Sequence, residues 1–82
     1  MRGVEMRRNR YKPYTVELYA PAYPHKGRKV RVHKGLFEEN RDFLNPSMIL
    51  ARTVECYSRK QAVSEGRLVA TLHGAEWEGI VS

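Results

Sequence analysis

Tyr14, Val16, Leu18 and Ala20 fall on one side of an alternation whose other side is Thr15, Glu17 and Tyr19. That period of two predicts a strand with one apolar face. The segment Pro21-Ala22-Tyr23-Pro24-His25-Lys26-Gly27 ends it, because prolines remove ladder donors and Gly27 permits a tight turn. Alternation resumes over residues 29–33, with Val30 and Val32 inward and Lys29, Arg31 and His33 outward. The two segments predict a hairpin with a long basic loop.

Residues 34–47 carry a less regular pattern. Leu36, Phe37, Phe43 and Leu44 fit either an extended second strand or a short helix through residues 38–43, and Asn45-Pro46-Ser47 breaks the chain in both cases. Residues 48–57 are extended and rich in β-formers, with Met48, Leu50, Val54 and Cys56 sharing a face that is expected in the core.

The next junction is a capping box. In Ser58-Arg59-Lys60-Gln61 the serine hydroxyl accepts the amide proton three residues on, and Gln61 reaches back. A helix is expected from there to about His73, where Gly74 can take the left-handed terminating conformation. Ala62, Gly66, Val69 and His73 form one stripe at helical spacing, flanked by Ala70 and Leu72. The small residues at 62 and 66 allow close approach to a sheet, although Gly66 costs about 1 kcal/mol of helix propensity. The competing pattern makes residues 67–73 a strand paired with residues 76–81 around Gly74-Ala75. Residues 76–81 close the chain as a strand. Their Trp77 is either a large core anchor or an exposed contact residue.

The expected fold is α+β in the order ββxβαβ: a mostly antiparallel sheet of about four strands with one helix packed across a face. It occupies residues 14–82. Residues 1–13, with few apolar side chains, four arginines and a closing Lys12-Pro13, are expected as a flexible basic arm.

Charge sharpens this picture. Ten of the fifteen Lys and Arg residues lie in the first 34 positions, against two acids there, Glu5 and Glu17. That end carries about eight positive charges in a chain of net +6, so it is suited to meet something anionic. Eighty-two residues make one small domain of modest core. A single cysteine excludes an internal disulfide and any multi-cysteine zinc site. With no apolar run near the roughly 18 residues of a membrane span, a cytoplasmic protein in a reducing setting is expected.

Candidate chemistry follows the charge. Tyr19 and Tyr23 interleave with His25, Lys26, Arg28, Lys29 and Arg31, in a wider group that includes Tyr11, Lys12 and Tyr14. Cations neutralise phosphates while tyrosine rings offer faces to unpaired bases, a combination suited to single strands. Arg7, Arg8 and Arg10 of the arm add planar guanidinium groups that pair with phosphate or carboxylate. The three histidines have no metal-ligand spacing, no glycine-rich phosphate loop is present, and the carboxylates do not suggest a converging pair. Neither an enzyme nor a cofactor or metal protein is expected, and no membrane or small-molecule partner.

The segment from Thr53-Val54-Glu55-Cys56-Tyr57 through the capping box to Gly74-Ala75-Glu76-Trp77 resembles the strand, capped helix and strand unit of small phage-encoded proteins. Among these are an inhibitor of bacterial RNA polymerase and several anti-CRISPR proteins. The resemblance implies a compact non-enzymatic inhibitor or modulator that occludes a host nucleic-acid-processing complex, such as a CRISPR surveillance complex or RNA polymerase. It carries no functional residue across. On the residues alone, direct binding of RNA or single-stranded DNA and a structural subunit of a larger assembly are the alternatives.

Overall fold

A computed structural model of the protein describes residues 11–81. The elements run β1 (Lys12–Tyr19), β2 (Lys29–Lys34), a short helix α1 (Phe37–Asn40) continued by a 3-10 turn (Arg41–Phe43), β3 (Met48–Cys56), α2 (Arg59–His73) and β4 (Glu76–Val81). The fold is small α+β. Its four-stranded sheet has the order β3-β1-β2-β4, antiparallel except where β4 joins β2 in parallel, and α2 packs on it.

β1 begins at Lys12, so Lys12 and Pro13 belong to the sheet, paired with Cys56 and Glu55, rather than to the expected arm. Pro13 is tolerated because it stands near the strand's start, before β2 begins to pair at Tyr14. Residues 1–10 of the arm lie outside the described residues.

Alternation sorts β1 and β2 as expected. Tyr14, Val16, Leu18, Val30 and Val32 face α2 and form the core with Cys56, Ala62, Val69 and Ala70. Each fully buried aliphatic side chain among them contributes about 1.5–3 kcal/mol. Ser58 caps α2 by accepting from the Gln61 amide, the Gln61 side chain accepts from the Tyr57 amide, and Gly74 ends the helix at φ 60°. Residues 67–73 are therefore helical. Trp77 is half-buried against the core, and Gly66 lets α2 approach it.

Trp77 and Ile80 both reach the core although they stand three apart on one strand. A bulge between their pairings with Val30 and Val32 makes this possible, and Gly79 at φ 124° supplies the backbone conformation it needs.

Two expectations about burial are corrected. Leu50 is 38% exposed and Met48 is exposed as well, instead of lying in the core. The glycine of α2 sits over Val32 and Trp77, toward β2 and β4, which leaves the first half of edge strand β3 uncovered. The second correction concerns the outward face of the hairpin. Thr15, Glu17, Tyr19 and His33 are all buried, because residues 35–47 fold back over them. The Thr15 hydroxyl donates to the Gly35 carbonyl, and the Phe37 amide donates to the Thr53 hydroxyl. The protein thus has three layers, with β1 sandwiched in the middle.

No helix among the described residues is long and apolar enough to cross a membrane.

Candidate nucleic-acid interface

The antiparallel β1–β2 ladder separates Lys12 and Lys34 at one end from Lys26, Arg28 and Lys29 at the other. Five residue steps separate the Tyr14–Lys34 pair from the Tyr19–Lys29 pair, about 17 Å of strand.

At the hairpin end, Tyr23, His25, Lys26 and Arg28 are exposed on the loop, and Tyr23 is 92% accessible. Lys29, the first residue of β2, is half-buried. Gly27 at φ 87° turns the loop back into β2.

Tyr19 and Arg31, expected beside these residues on the contact surface, are engaged inside the fold. Tyr19 is 5% exposed and its hydroxyl donates to the Glu78 carboxylate. Burial first, then that hydrogen bond and the charge of Glu78, push the phenol up to about 12. The Arg31 guanidinium lies 4.7 Å from the Tyr19 ring centroid, at cation–π range. Its Nε donates to Glu17 Oε1 at 2.7 Å. Tyr19 therefore has no open ring face for stacking, and Arg31 has no free charge.

Glu17 is the hub of this inner network. It is 0% exposed and also meets His33 Nε2 at 2.6 Å and the Asn45 amide at 2.5 Å. Burial pushes its carboxyl up, but the hydrogen bonds from Arg31, His33 and Asn45 outweigh burial and hold it below the usual glutamate range. The arrangement locks residues 43–45 onto the sheet. It is a structural device rather than a contact surface.

The opposite end is richer than the sequence suggested. Tyr11 and Tyr57 continue the β1–β3 register one step beyond Lys12 and Cys56. Their rings stack at 4.2 Å between centroids, and the Tyr11 hydroxyl donates to that of Tyr57 at 2.6 Å. That bond holds the Tyr11 phenol above its ordinary value, and the pair remains exposed to solvent. Beside it Lys12, Lys34, Ser58 and Arg59 surround a cleft of ≈ 290 Å³, which Tyr14, Tyr57 and Ile80 also line.

Among the described residues, nothing acidic pairs with the cations of this cleft. Ion pairs among the described residues are Arg31–Glu17, His33–Glu17 and Arg41–Glu38, so Lys12, Lys34 and Arg59 have no acidic partner there. Glu55 pairs with Pro13 on the face opposite Lys12 and Lys34, and its charge is felt by Tyr11 rather than by these cations. The first turn of α2 holds no acid, so the positive pole of the helix adds to the side-chain charges instead of being neutralised.

Lys34, Tyr57 and Arg59 were not among the residues expected to bind. Lys34 stands last in its strand, and only the hairpin register, which sets it opposite Tyr14 and two positions from Lys12, brings it to the cleft. The arm residues Arg7, Arg8 and Arg10 lie outside the described residues, but the chain carrying them joins the fold at Tyr11, beside this cleft.

A second hollow, also ≈ 290 Å³, lies on the other face among Arg31, His33, Asn40, Phe43 and Val81. Its Arg31 and His33 already serve Glu17, and its Asn40 donates to the Lys34 and Leu36 carbonyls. Cys56 is buried and its thiol is pushed up by burial and by Glu65, opposite to the shift a nucleophilic thiolate needs. Among the described residues no cluster of three His, Cys, Asp or Glu side chains could hold a metal ion.

Compared with known protein families, curated proteins and solved structures, the chain matches none.

Proposed function

We propose that this protein is a non-enzymatic binding protein for single-stranded nucleic acid. A base would stack on the exposed Tyr11–Tyr57 pair while Lys12, Lys34 and Arg59 neutralise the adjoining phosphates. The carrying observation is the meeting, at one end of the sheet, of an open aromatic pair and three cations without acidic partners among the described residues. Stacking is worth about 1–3 kcal/mol per base and tolerates any sequence. Phosphate neutralisation adds affinity that falls with salt. Arg7, Arg8 and Arg10, just before Tyr11 in the sequence, supply further cations that can pair with phosphate.

Titration of labelled 12-nucleotide RNA and DNA by fluorescence anisotropy tests this. Single strands are expected to bind more tightly than duplex. Three to five phosphate contacts predict a log–log salt slope of about −2 to −3.5. The double variant K34E/R59E should lose affinity at least tenfold, on the order of 1.4 kcal/mol, with its circular dichroism unchanged. Lack of submillimolar binding at 50 mM salt would exclude the proposal.

A second proposal, an inhibitor docking on a host nucleic-acid-processing complex, draws on a different observation. The hairpin loop projects Tyr23 with Lys26 and Arg28 exposed beside it, the form of a probe that enters a cleft on a partner. Capture of a stoichiometric host complex that survives nuclease and is lost in K26E/R28E would move this proposal ahead of the first.

A further inference from the structure

The cleft beside the tyrosine pair holds more positive charge than a passing strand uses. Lys12, Lys34 and Arg59 come from the start of β1, the end of β2 and the start of α2, and all three line one hollow of ≈ 290 Å³. An internal phosphodiester entering it brings one negative charge. A terminal phosphomonoester brings about 1.5–2 at neutral pH, with an additional acceptor oxygen. The monoester is the better match to three cations.

The shape of the hollow favours the same ligand. Buried Tyr14, half-buried Ile80 and the exposed Tyr57 complete its lining. Its volume lies at the lower edge of the roughly 300–1,000 Å³ typical of small-molecule sites. A phosphate at the end of a chain can enter such a hollow while its own nucleotide base rests on the neighbouring rings. A phosphate in mid-chain must leave the strand continuing in both directions past Lys12 and Arg59. The Ser58 hydroxyl oxygen accepts from the Gln61 amide, which leaves its proton to donate to a phosphate oxygen.

We propose that this cleft binds the terminal phosphomonoester of a single-stranded nucleic acid, so that the protein recognises a strand end. This rests on the single-strand reading above and adds the choice of ligand group. The guanidinium of Arg59 suits two oxygens of one phosphate, and the lysine ammoniums add point charges at its sides.

The test compares one oligonucleotide sequence carrying a 5′-phosphate, a 3′-phosphate or hydroxyls at both ends, with the dye placed internally. One phosphorylated form is expected to bind at least about tenfold more tightly than the hydroxyl form, the scale of one charge-assisted contact. Which form does so assigns the end. In R59A and K34A that preference should fall toward unity while binding of the hydroxyl form falls less. Equal affinity of all three oligonucleotides would overturn the strand-end inference and leave single-strand binding standing. Failure of every oligonucleotide to bind would overturn both. Inorganic phosphate should compete with the phosphorylated form at lower concentration than chloride of equal ionic strength. Identical competition by the two salts would count against a phosphate site.

Discussion

A Cβ atom placed on Gly66 would lie 2.3 Å from Cζ3 of Trp77, and 2.8 Å from Cγ2 of Val32. Neither neighbour is a free chain end, since Val32 is fully buried and Trp77 packs against the core. Helix propensity alone favours alanine here by about 1 kcal/mol, while overpacking typically costs about 1–3 kcal/mol. The clash should win. G66A is expected to unfold at lower urea than the wild type, by about 1 kcal/mol of stability. In the W77F background the penalty should shrink, because the smaller ring gives room. Stabilisation by G66A in the wild-type background would contradict this packing.

Glu17 predicts an acid-sensitive fold. Its carboxyl is held below the usual glutamate range when folded, against about 4.3 when unfolded. The stability it contributes is therefore fully present above about pH 4.3 and is lost as pH falls toward the folded value. E17Q should remove that part of the acid dependence. It should also destabilise at pH 7 by about 3–5 kcal/mol, since Arg31 and His33 lose a buried partner. Urea titrations of both proteins between pH 3 and 7 measure the difference, and superimposable pH profiles would count against the role of Glu17.

Local chemistry was legible in the chain; what lies over each surface was not. Ser58, Gln61 and Gly74 declare the helix because a cap needs only residues within one turn. The alternation from Tyr14 to Tyr19 declares the strand and its apolar face. Periodicity cannot say that the polar face is covered too, because residues 35–47, which cover it, have no regular pattern. For this reason Glu17, Tyr19 and His33 read as outward while being buried. Met48 and Leu50 fail in the opposite sense. A 15-residue helix spans only about 22 Å, and it lies toward Val32 and Trp77. The cleft was hidden for a third reason: Lys34, Tyr57 and Arg59 meet only once strand register and crossover are known.

Tyr19 should titrate well above the ordinary tyrosine range. Burial and the bond to Glu78 raise its phenol to about 12, against about 10 in the unfolded chain. Its contribution to stability is present below about pH 10 and is lost as pH rises toward 12. Absorbance at 295 nm should show a phenolate forming near pH 12, and Y19F should remove that step. A Y19F titration that keeps the step near pH 12 would assign it elsewhere.

Tyr57 separates stacking from hydrogen bonding within the proposed interface. Y57F keeps the ring beside Tyr11 and loses only the hydroxyl contact, so affinity for a single strand should change less than about twofold. The Tyr11 phenol, freed of the bond that raises it, should then titrate lower than in the wild type. Y57A removes the platform itself and is expected to weaken binding by about 1–3 kcal/mol, roughly 5- to 150-fold. Because Tyr57 is exposed and follows β3 rather than filling the core, both variants should keep the thermal midpoint within a few degrees of wild type. Equal affinities of wild type, Y57F and Y57A would remove the tyrosine pair from the interface and leave the cations as its sole basis.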